Sequence, residues 1–549
     1  MNNANEAHFV SVPGNEIKHS RFDLSHNSIT SFDVGQLIPL TEPIEILPTD
    51  NFSVGVGSDI TLNTLIYPIM DGLFIDIFEF FVPFRLLWDH YINFEGENDT
   101  APWVQQNTYK MPEITAPDGG WEVGTLADYM CIPTGISGLK VNALKFRGYC
   151  KIVKDFFYDQ NIQTPPDFIT DDATIAGSNG GNYVTDLIKG GKPFVAGKTH
   201  DQFTSSLPSP QRGPSVVLPL GNNAPLRTFD DMYSIYGNDG IKLSNDGTTP
   251  FSDKYYGSGN NGILGAFGPL PTPAPTEYSR VQYTNVRADL SMATATTVND
   301  LRVAFQTQRL FELMARGGTR YYEILASQWG ISAPSGLIQR SEYLGGSRFP
   351  LKVHTSVQSS STEQSGTPQG NLAGYSITTN YKHHFKKGFT ERGYLYILGV
   401  VRYHHSYSQG LSKSWKRVNR LDFYQNAYAH IGEQPIYNYE IFAQGNDTDN
   451  GVFGYNEYGV DYRYCMNKIT GQMRPTYQNS LDYMHLGDYY TQLPTLSGDF
   501  IKEDKTNVDR VIAATSVTGA NQIRATFHFK IDAIRPMPVF AIPGLIDHL

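Results

Sequence analysis

The stretch PIMDGLFIDIFEFFVPFRLLWD, residues 68–89, places aromatic and β-branched side chains around two acids, Asp76 and Glu79. Such side chains are enriched in strands, and a proline cannot continue a strand in the middle of a sheet. Pro83 stands where the apolar run closes. Residues 68–89 therefore predict a buried strand that ends in a turn, and neither a helix nor a catalytic loop.

Two other stretches have strand patterns. Residues 394–403 form a nearly continuous apolar run, which is typical of a strand buried on both faces. In residues 522–533 apolar and polar side chains alternate, so that one face belongs to a core and the other to solvent or a partner. Because strands are predicted near both ends of the chain, we expect an antiparallel barrel or sandwich whose terminal strands meet.

The composition supports a mainly β protein. Aromatic residues make up 13% of the 549 residues, with 34 Tyr and 31 Phe, and 51 Gly and 32 Pro supply many turns. Charged residues make up 18%, below the roughly 25% of an ordinary globular protein. This balance predicts short strands, irregular loops and large surfaces buried against neighbours.

Helices and loops are predicted between the strands. Residues 142–158 and 298–315 carry apolar side chains at helical spacing, the second preceded by a capping box at 297–300. Residues 1–50 are polar and proline-containing, which favours an extended arm that wraps over a neighbour. Residues 163–288 are rich in Gly, Asn and Pro and form an unusually long loop region, either disordered or a functional surface insertion.

The net charge of −11 excludes a polycation that coats nucleic acid through one broad basic face. Any DNA contact must therefore be local, and two basic segments with interleaved aromatic residues are the candidates, residues 381–387 and 413–420. Cations can bind phosphates while an aromatic ring stacks on a base. The alternative is a solvated loop or a salt-bridged contact between subunits. The candidate DNA-contact residues are Lys386, Lys387, Lys413, Trp415, Lys416, Arg417 and Arg420.

No catalytic, cofactor or metal site is predicted. The pairs at 383–384 and 404–405 are adjacent histidines, which point to opposite faces of a strand, so structural or surface roles are favoured over metal binding. The VGVG at 54–57 lacks the third glycine and the helix of a dinucleotide-binding motif. Three cysteines without a C-x-x-C pair are expected to be thiols. We find no signal peptide and no membrane-spanning apolar run, and we expect a soluble protein made in a cytoplasm.

The stretch 70–88 closely resembles a strand motif of the major capsid proteins of the Microviridae, phages with small circular single-stranded DNA, and of their gokushovirus branch above all. Similar blocks follow in family order along nearly the whole chain. They include LADY at 126–129, LPSPQRG at 207–213, ARGGTRY at 315–321, QRSEYLGG at 339–346 and RPMPV at 535–539.

The resemblance implies an eight-stranded antiparallel jelly roll with long loop insertions and a few short helices. It gives residues 1–50 as an extended N-terminal arm and 51–162 as the first part of the jelly-roll core. Residues 163–221 become a variable loop region and 222–288 a surface insertion that protrudes at the three-fold axes. Residues 289–549 complete the core with a C-terminal strand and tail. In this setting, Asp76 and Glu79 are expected to face a neighbouring subunit or the particle interior.

The resemblance also implies a function. About 60 copies would assemble into a T=1 icosahedral shell around circular single-stranded DNA, with host attachment through the 222–288 insertion. Minor spike or pilot proteins and DNA-binding virion proteins are expected partners, and no membrane insertion is expected. The protein would be made in the cytoplasm of the host bacterium and would then be located in the capsid of the virion. The alternative is a jelly-roll carbohydrate-binding protein or tail adhesin, because lectins share this architecture.

Overall fold

The computed structural model describes residues 18–98, 109–216, 298–357, 372–513 and 521–540, with short pieces at 226–228, 243–244, 282–283, 286–288, 359 and 370. The chain divides into two compact units. One comprises Met1–Arg212 with Glu312–Leu549, and the other comprises Gly213–Phe311.

Strands dominate the described residues. They are β1 Ser20–Asp23, β2 His26–Phe32, β3 Ile38–Pro39, β4 Ile44–Ile46, β5 Asn51–Leu62, β6 Leu73–Pro83, β7 Glu113–Thr115, β8 Lys140–Asn142, β9 Ile175–Ala176, β10 Leu226–Thr228, β11 Leu243–Ser244, β12 Gln282–Tyr283, β13 Val286–Ala288, β14 Glu342–Pro350, β15 Val353–Val357, β16 Leu372–Gly388, β17 Gly393–Tyr403, β18 Glu433–Tyr437, β19 Val452–Glu457 and β20 Ile523–Arg535.

The α-helices are mostly short. They are α1 Tyr91–Phe94, α2 Leu126–Tyr129, α3 Leu144–Ile152, α4 Val298–Gly317, α5 Tyr321–Trp329, α6 Asn438–Ile441, α7 Val460–Arg463, α8 Gly498–Ile501 and α9 Thr506–Asp509. A π-helical turn, Val153–Phe157, continues α3. The predicted helices at 142–158 and 298–315 are thus confirmed, while residue 297 of the capping box lies outside the described residues.

Two large antiparallel sheets form the main unit. The first has the strand order β1-β20-β5-β16-β15, with β2 also paired to β20. The second has the order β14-β6-β17-β3, with β4 also paired to β17. β1 and β2 both pair with β20 and count as one strand position, and β3 and β4 both pair with β17 and count as another. On this count the two sheets supply eight strand positions, in addition to the edge strand β15. This is the predicted jelly roll.

The chain crosses between the sheets at almost every step. It leaves the first sheet for the second between β2 and β3, returns for β5, and crosses again for β6. Apart from the short pairs β1–β2 and β3–β4, two steps stay within one sheet. They are β6 to β14, with residues 84–341 between them, and β15 to β16. Because β1 and β2 both pair with β20, the predicted meeting of the terminal strands is confirmed.

The three predicted strands have the expected burial. β6 ends at Pro83 and is followed by a 3₁₀ turn, Phe84–Leu86. β17 is buried at every position but Arg402, so its side chains are covered on both faces. β20 alternates buried and more accessible residues along its length.

A second apolar layer explains why β6 and β17 have no solvent face. One cluster fills the space between the sheets and includes Ile75 and Ile77 of β6. Another covers the opposite face of the second sheet and joins Phe80 of β6 and Tyr396 of β17 to Phe146 of α3. Both faces of the two central strands of this sheet, β6 and β17, are therefore buried within one chain.

The described part of the predicted 1–50 arm differs from the prediction. From residue 18 onward this segment supplies β1 to β4, and Phe32, Ile38 and Ile46 lie in the core between the sheets. The strands here are two to seven residues long and interrupted by prolines, so the alternation that marks a strand is too short to recognise. Residues 1–17 lie outside the described residues.

The four described strands of the second unit form two antiparallel pairs, and the unit also holds α4 as far as Phe311. β10 pairs with β13, and β11 pairs with β12. Most of the predicted 222–288 insertion lies outside the described residues.

Candidate nucleic-acid interface

The first basic segment, residues 381–387, lies on β16 and is divided between the two faces of its sheet. The ring of Tyr381 lies over Gly55 and Gly57 of β5, on the outer face. A Cβ at Gly55 would come 2.5 Å from Tyr381 Oη, so glycine leaves room for the ring. His383 also points outward and its Nε2 lies 2.9 Å from Ser53 Oγ. The VGVG of residues 54–57 is thus explained by packing in a sheet.

A bulge changes the direction of the next residue. The register between β16 and β5 shifts between His383 and Phe385, which leaves His384 as the extra residue. His384 turns inward and pairs with Glu79, and both side chains are fully buried. Because Glu79 shares the core-facing side of β6 with Ile77 and Phe81, this pair joins the two sheets through the interior.

The two lysines of this segment have different surroundings. Lys387 forms an ion pair with Glu342 of β14, and its Nζ lies 5.8 Å from the centre of the Phe389 ring. Lys386 is exposed at the outer face of β16. Of this pair, Lys386 is the better placed to contact a phosphate.

The second basic segment forms an exposed ridge. Lys413–Lys416 is a 3₁₀ turn in which the Trp415 side chain is 78% exposed. Lys413 Nζ lies 5.6 Å from the centre of the Tyr437 ring, and Lys416 Nζ lies 5.2 Å from that of Tyr439. These cation–π contacts hold both lysine side chains against tyrosine rings of β18 and α6.

The two arginines of the ridge have unlike environments. The Arg417 side chain is only 10% exposed, pairs with Asp461 and lies 4.3 Å from the centre of the Tyr462 ring. It therefore holds the loop in place. Arg420 opens the next 3₁₀ turn, Arg420–Asp422, and is exposed.

The structure thus yields two separate candidate surfaces. Among the described residues, no hydrogen bond, ion pair or ring contact joins the 381–387 segment to the 413–420 segment. The ridge at 413–420 is the better suited to single-stranded DNA, because exposed cations flank an exposed indole there.

Both acids of the opening stretch have partners within the chain. Asp76 accepts two hydrogen bonds from Arg348, at 2.6 and 2.9 Å, and two more from Arg402. Glu79 is paired with His384, and burial raises the pKa of its carboxyl. Neither acid therefore needs a neighbouring subunit as its partner.

A buried ionic network elsewhere was not anticipated from the sequence. His405 lies between Asp488, 3.0 Å from Nδ1, and Glu503, 3.0 Å from Nε2. His405 Nδ1 lies 3.0 Å from both oxygens of Asp488, and Lys198 Nζ lies 3.0 Å from its Oδ2. Burial alone would lower the pKa of His405, but the two carboxylates raise it to about 9. The pKa of Asp488 is lowered well below its usual range.

A cavity adjoins this network in the main unit. This cavity of about 490 Å³ is lined by His404, Arg316 and Glu433, among others, and Arg316 there is paired with Glu433 and Glu457. Within the ranges that the structure describes, no three His, Cys, Asp or Glu residues are grouped to hold a metal ion. No described helix is both long and apolar enough to cross a membrane. All three cysteines are free thiols.

Comparison with known proteins settles the family. The family model described as "Capsid protein (F protein)" matches residues 10–545 of this chain. The chain belongs to this family of phage capsid proteins.

The relatives of this F-protein family member match it from end to end. Capsid protein VP1 of Spiroplasma virus 4 is 40% identical over 547 residues, which cover 99% of this chain and 98% of that protein. Capsid protein VP1 of Bdellovibrio phage phiMH2K is 37% identical over 98% of both chains. Capsid protein VP1 of Chlamydia phage 1 is 34% identical over 98% of this chain and 97% of its own.

These matches confirm the resemblance to gokushovirus-like Microviridae capsid proteins. The chain is a major capsid protein, and as a member of this family it is a structural component of the virion that associates with copies of itself.

Proposed function

We propose that about 60 copies of this chain form a T=1 icosahedral shell around circular single-stranded DNA, and that the chain has no enzymatic role. The capsid family match over residues 10–545 carries this proposal. The two-sheet jelly roll supports it, because this architecture is common in viral capsids. A closed ring or shell of identical subunits arises when one face of each copy binds a different face of the next.

The size of the particle tests the shell. We expect purified protein to sediment as one particle species with T=1 symmetry in electron micrographs. A stable monomer, both in phage lysates and after expression under assembly conditions, would contradict the proposal. Binding of that monomer to glycans would instead favour the carbohydrate-binding or adhesin alternative.

We further propose that the ridge at 413–420 contacts the packaged DNA through Trp415, Lys416 and Arg420, with Lys386 as a separate contact. Lys413 supports the ridge, whereas Arg417 and Lys387 are held in ion pairs with Asp461 and Glu342. An acidic chain needs such local cations, because its net charge of −11 repels the phosphate backbone.

Substitution of the ridge tests the DNA contact. Trp415→Ala combined with Arg420→Ala should weaken binding of single-stranded DNA to unassembled protein. The slope of the logarithm of the binding constant against the logarithm of the salt concentration should also fall, by the amount expected for about one phosphate contact. Lys140→Ala, which removes an exposed charge on β8, is the control and should leave both unchanged. Equal DNA affinity for the double variant and the control would remove the ridge as a contact.

Host attachment and the remaining partners complete the proposal. We assign attachment to the 222–288 insertion, which would meet a receptor on the host surface. This chain would be synthesised in the bacterial cytoplasm. Its further partners in the shell would be minor spike or pilot proteins and DNA-binding virion proteins.

A further inference from the structure

Helix α5 and the loop that follows it expose an apolar surface, which we call the 321–337 segment. Six of the nine residues of α5 are Tyr, Ile, Leu, Ala or Trp, yet none of the nine is buried. Tyr321 is 65% exposed and Trp329 71%; beyond the helix, Ile331 is 53% exposed and Leu337 78%. Tyr322, Ile324 and Leu325 are half-buried, so none of the apolar residues of this helix is fully covered, which is unusual in a soluble protein.

The segment is fixed at its N-terminal end. Arg320 donates hydrogen bonds to the carbonyl oxygens of Lys154, at 3.3 Å, and Tyr158, at 3.0 Å. The same guanidinium lies 3.1 Å from Glu323 and 4.8 Å from the centre of the Tyr158 ring. The start of α5 is therefore attached to the π turn that continues α3.

The C-terminal end is attached to the same turn. Arg340 donates to the carbonyl oxygen of Asp155 at 2.8 Å, and its guanidinium lies 3.9 Å from the centre of the Phe156 ring. The backbone N–H and the hydroxyl of Ser341 donate to the Asp155 carboxylate at 2.9 and 2.8 Å. With both ends held, the apolar side chains between them are presented in a defined arrangement.

The area of this surface is a substantial part of a protein contact. An aromatic side chain buries on the order of 150–250 Å² when fully covered, so Tyr321 and Trp329, each about two-thirds exposed, offer roughly 270 Å². A stable interface needs about 800 Å² per partner. These two residues thus supply about a third of one side of an interface, Ile331 and Leu337 add to it, and both aromatic types are enriched among residues that dominate binding.

The charge of the segment favours protein over DNA. Glu323 is its one charged side chain, and Arg320 neutralises it. Nothing within residues 321–337 can therefore neutralise a phosphate, and DNA binding depends on such neutralisation. The matching partner is an apolar protein surface.

We propose that the 321–337 segment is a contact surface between copies of this chain. This inference rests on the proposed shell, in which each copy lies against identical neighbours. Because both ends of the segment are already held, little conformational entropy is lost when a neighbour covers it. Tyr321, Trp329, Ile331 and Leu337 are the anchors of the contact.

Paired substitutions test the contact in the full-length chain. Trp329→Asp combined with Leu337→Asp should raise the protein concentration needed for assembly at least tenfold. Trp329→Tyr combined with Leu337→Met keeps the surface apolar and should assemble like the wild type. Both variants should retain the circular dichroism spectrum and denaturation midpoint of the unassembled wild-type chain. Normal assembly of the Asp variant would overturn the inference but leave the shell intact, whereas failure of the wild type to assemble would contradict the shell itself.

Hydrogen exchange of the wild type provides a measurement that does not depend on a variant. Backbone amides of residues 321–331 should exchange at least tenfold more slowly in particles than in dissociated subunits, whether or not the particles contain DNA. Equal rates in both states would overturn the inference, as would full protection in the isolated subunit, which would mean that the chain covers the segment itself. Protection only in DNA-filled particles would assign the segment to the genome.

Discussion

At the residue scale, His405 is the buried cation that pairs with two buried carboxylates, Asp488 and Glu503. Asp488 has Lys198 and Asn507 as further partners, but His405 is the only side chain that hydrogen-bonds Glu503 among the described residues. Removal of a partner from a buried pair costs about 3–5 kcal/mol. We expect His405→Asn to lower the free energy of unfolding by this amount, as measured by chemical denaturation of unassembled protein at pH 7. His404→Asn, at the exposed neighbour, is the control and should have a much smaller effect.

The same residue predicts a dependence on pH. The pKa of His405 is about 9 in the folded chain and about 6.5 when unfolded, so its stabilising effect is complete below pH 6.5 and is lost as the pH rises through 9. This difference between the two pKa values corresponds to about 3 kcal/mol in the free energy of unfolding. Denaturation midpoints from pH 6 to 10 should fall more steeply for the wild type than for His405→Asn. Parallel curves would show that His405 does not titrate in this range.

At the scale of elements, α3 packs against β17 through a glycine. A Cβ at Gly148 would lie 2.0 Å from Tyr396 Oη, and the buried Tyr396 donates to the Lys145 carbonyl oxygen at 2.7 Å. Alanine in a helix normally stabilises by about 1 kcal/mol relative to glycine, but overpacking costs about 1–3 kcal/mol. Gly148→Ala should therefore lower the thermal midpoint of the unassembled chain.

The control for this substitution is Gly72→Ala, since a Cβ there would meet no atom within 4 Å and the midpoint should barely change. If Gly148→Ala instead raised the midpoint, as expected for an ordinary helix position, α3 would not pack this closely against β17.

Elements also differ in how well the sequence predicts them. β6, β17 and β20 could be predicted because each has at least ten residues with one clear apolar pattern. β3 and β4, with two and three residues, carry no such pattern and depend on pairing with β17. The bulge at His384 was likewise not predictable, because its partner Glu79 is 305 residues away in the chain.

The same limit applies to the candidate sites. The Lys413–Arg420 segment was recognisable because its cations and its indole are neighbours in sequence. The structure alone separates the exposed Arg420 from Arg417, whose partner Asp461 is 44 residues away. The 321–337 segment was not recognised, since an apolar helix is normally expected in a core and only its surroundings reveal that it is exposed.

At the scale of the whole molecule, the jelly roll should be independent of the 222–288 insertion. Among the described residues, none of the three apolar clusters includes a residue between 213 and 311. A shorter connection changes the entropy of loop closure by less than about 1 kcal/mol. A chain in which a Gly-Ser linker replaces residues 222–288 should remain soluble, with an unfolding free energy within about 1 kcal/mol of the full chain.

Three measurements on this deletion variant separate folding, assembly and attachment. Chemical denaturation and circular dichroism should match the full chain, electron microscopy should show particles of the same symmetry, and adsorption of particles to host cells should be lost. Deletion of 523–535, which removes β20 from between β2 and β5, is the contrasting variant and should prevent folding. Insoluble protein from both deletions would mean that the insertion contributes to the core. A folded variant whose particles still adsorb would instead place attachment elsewhere on the shell.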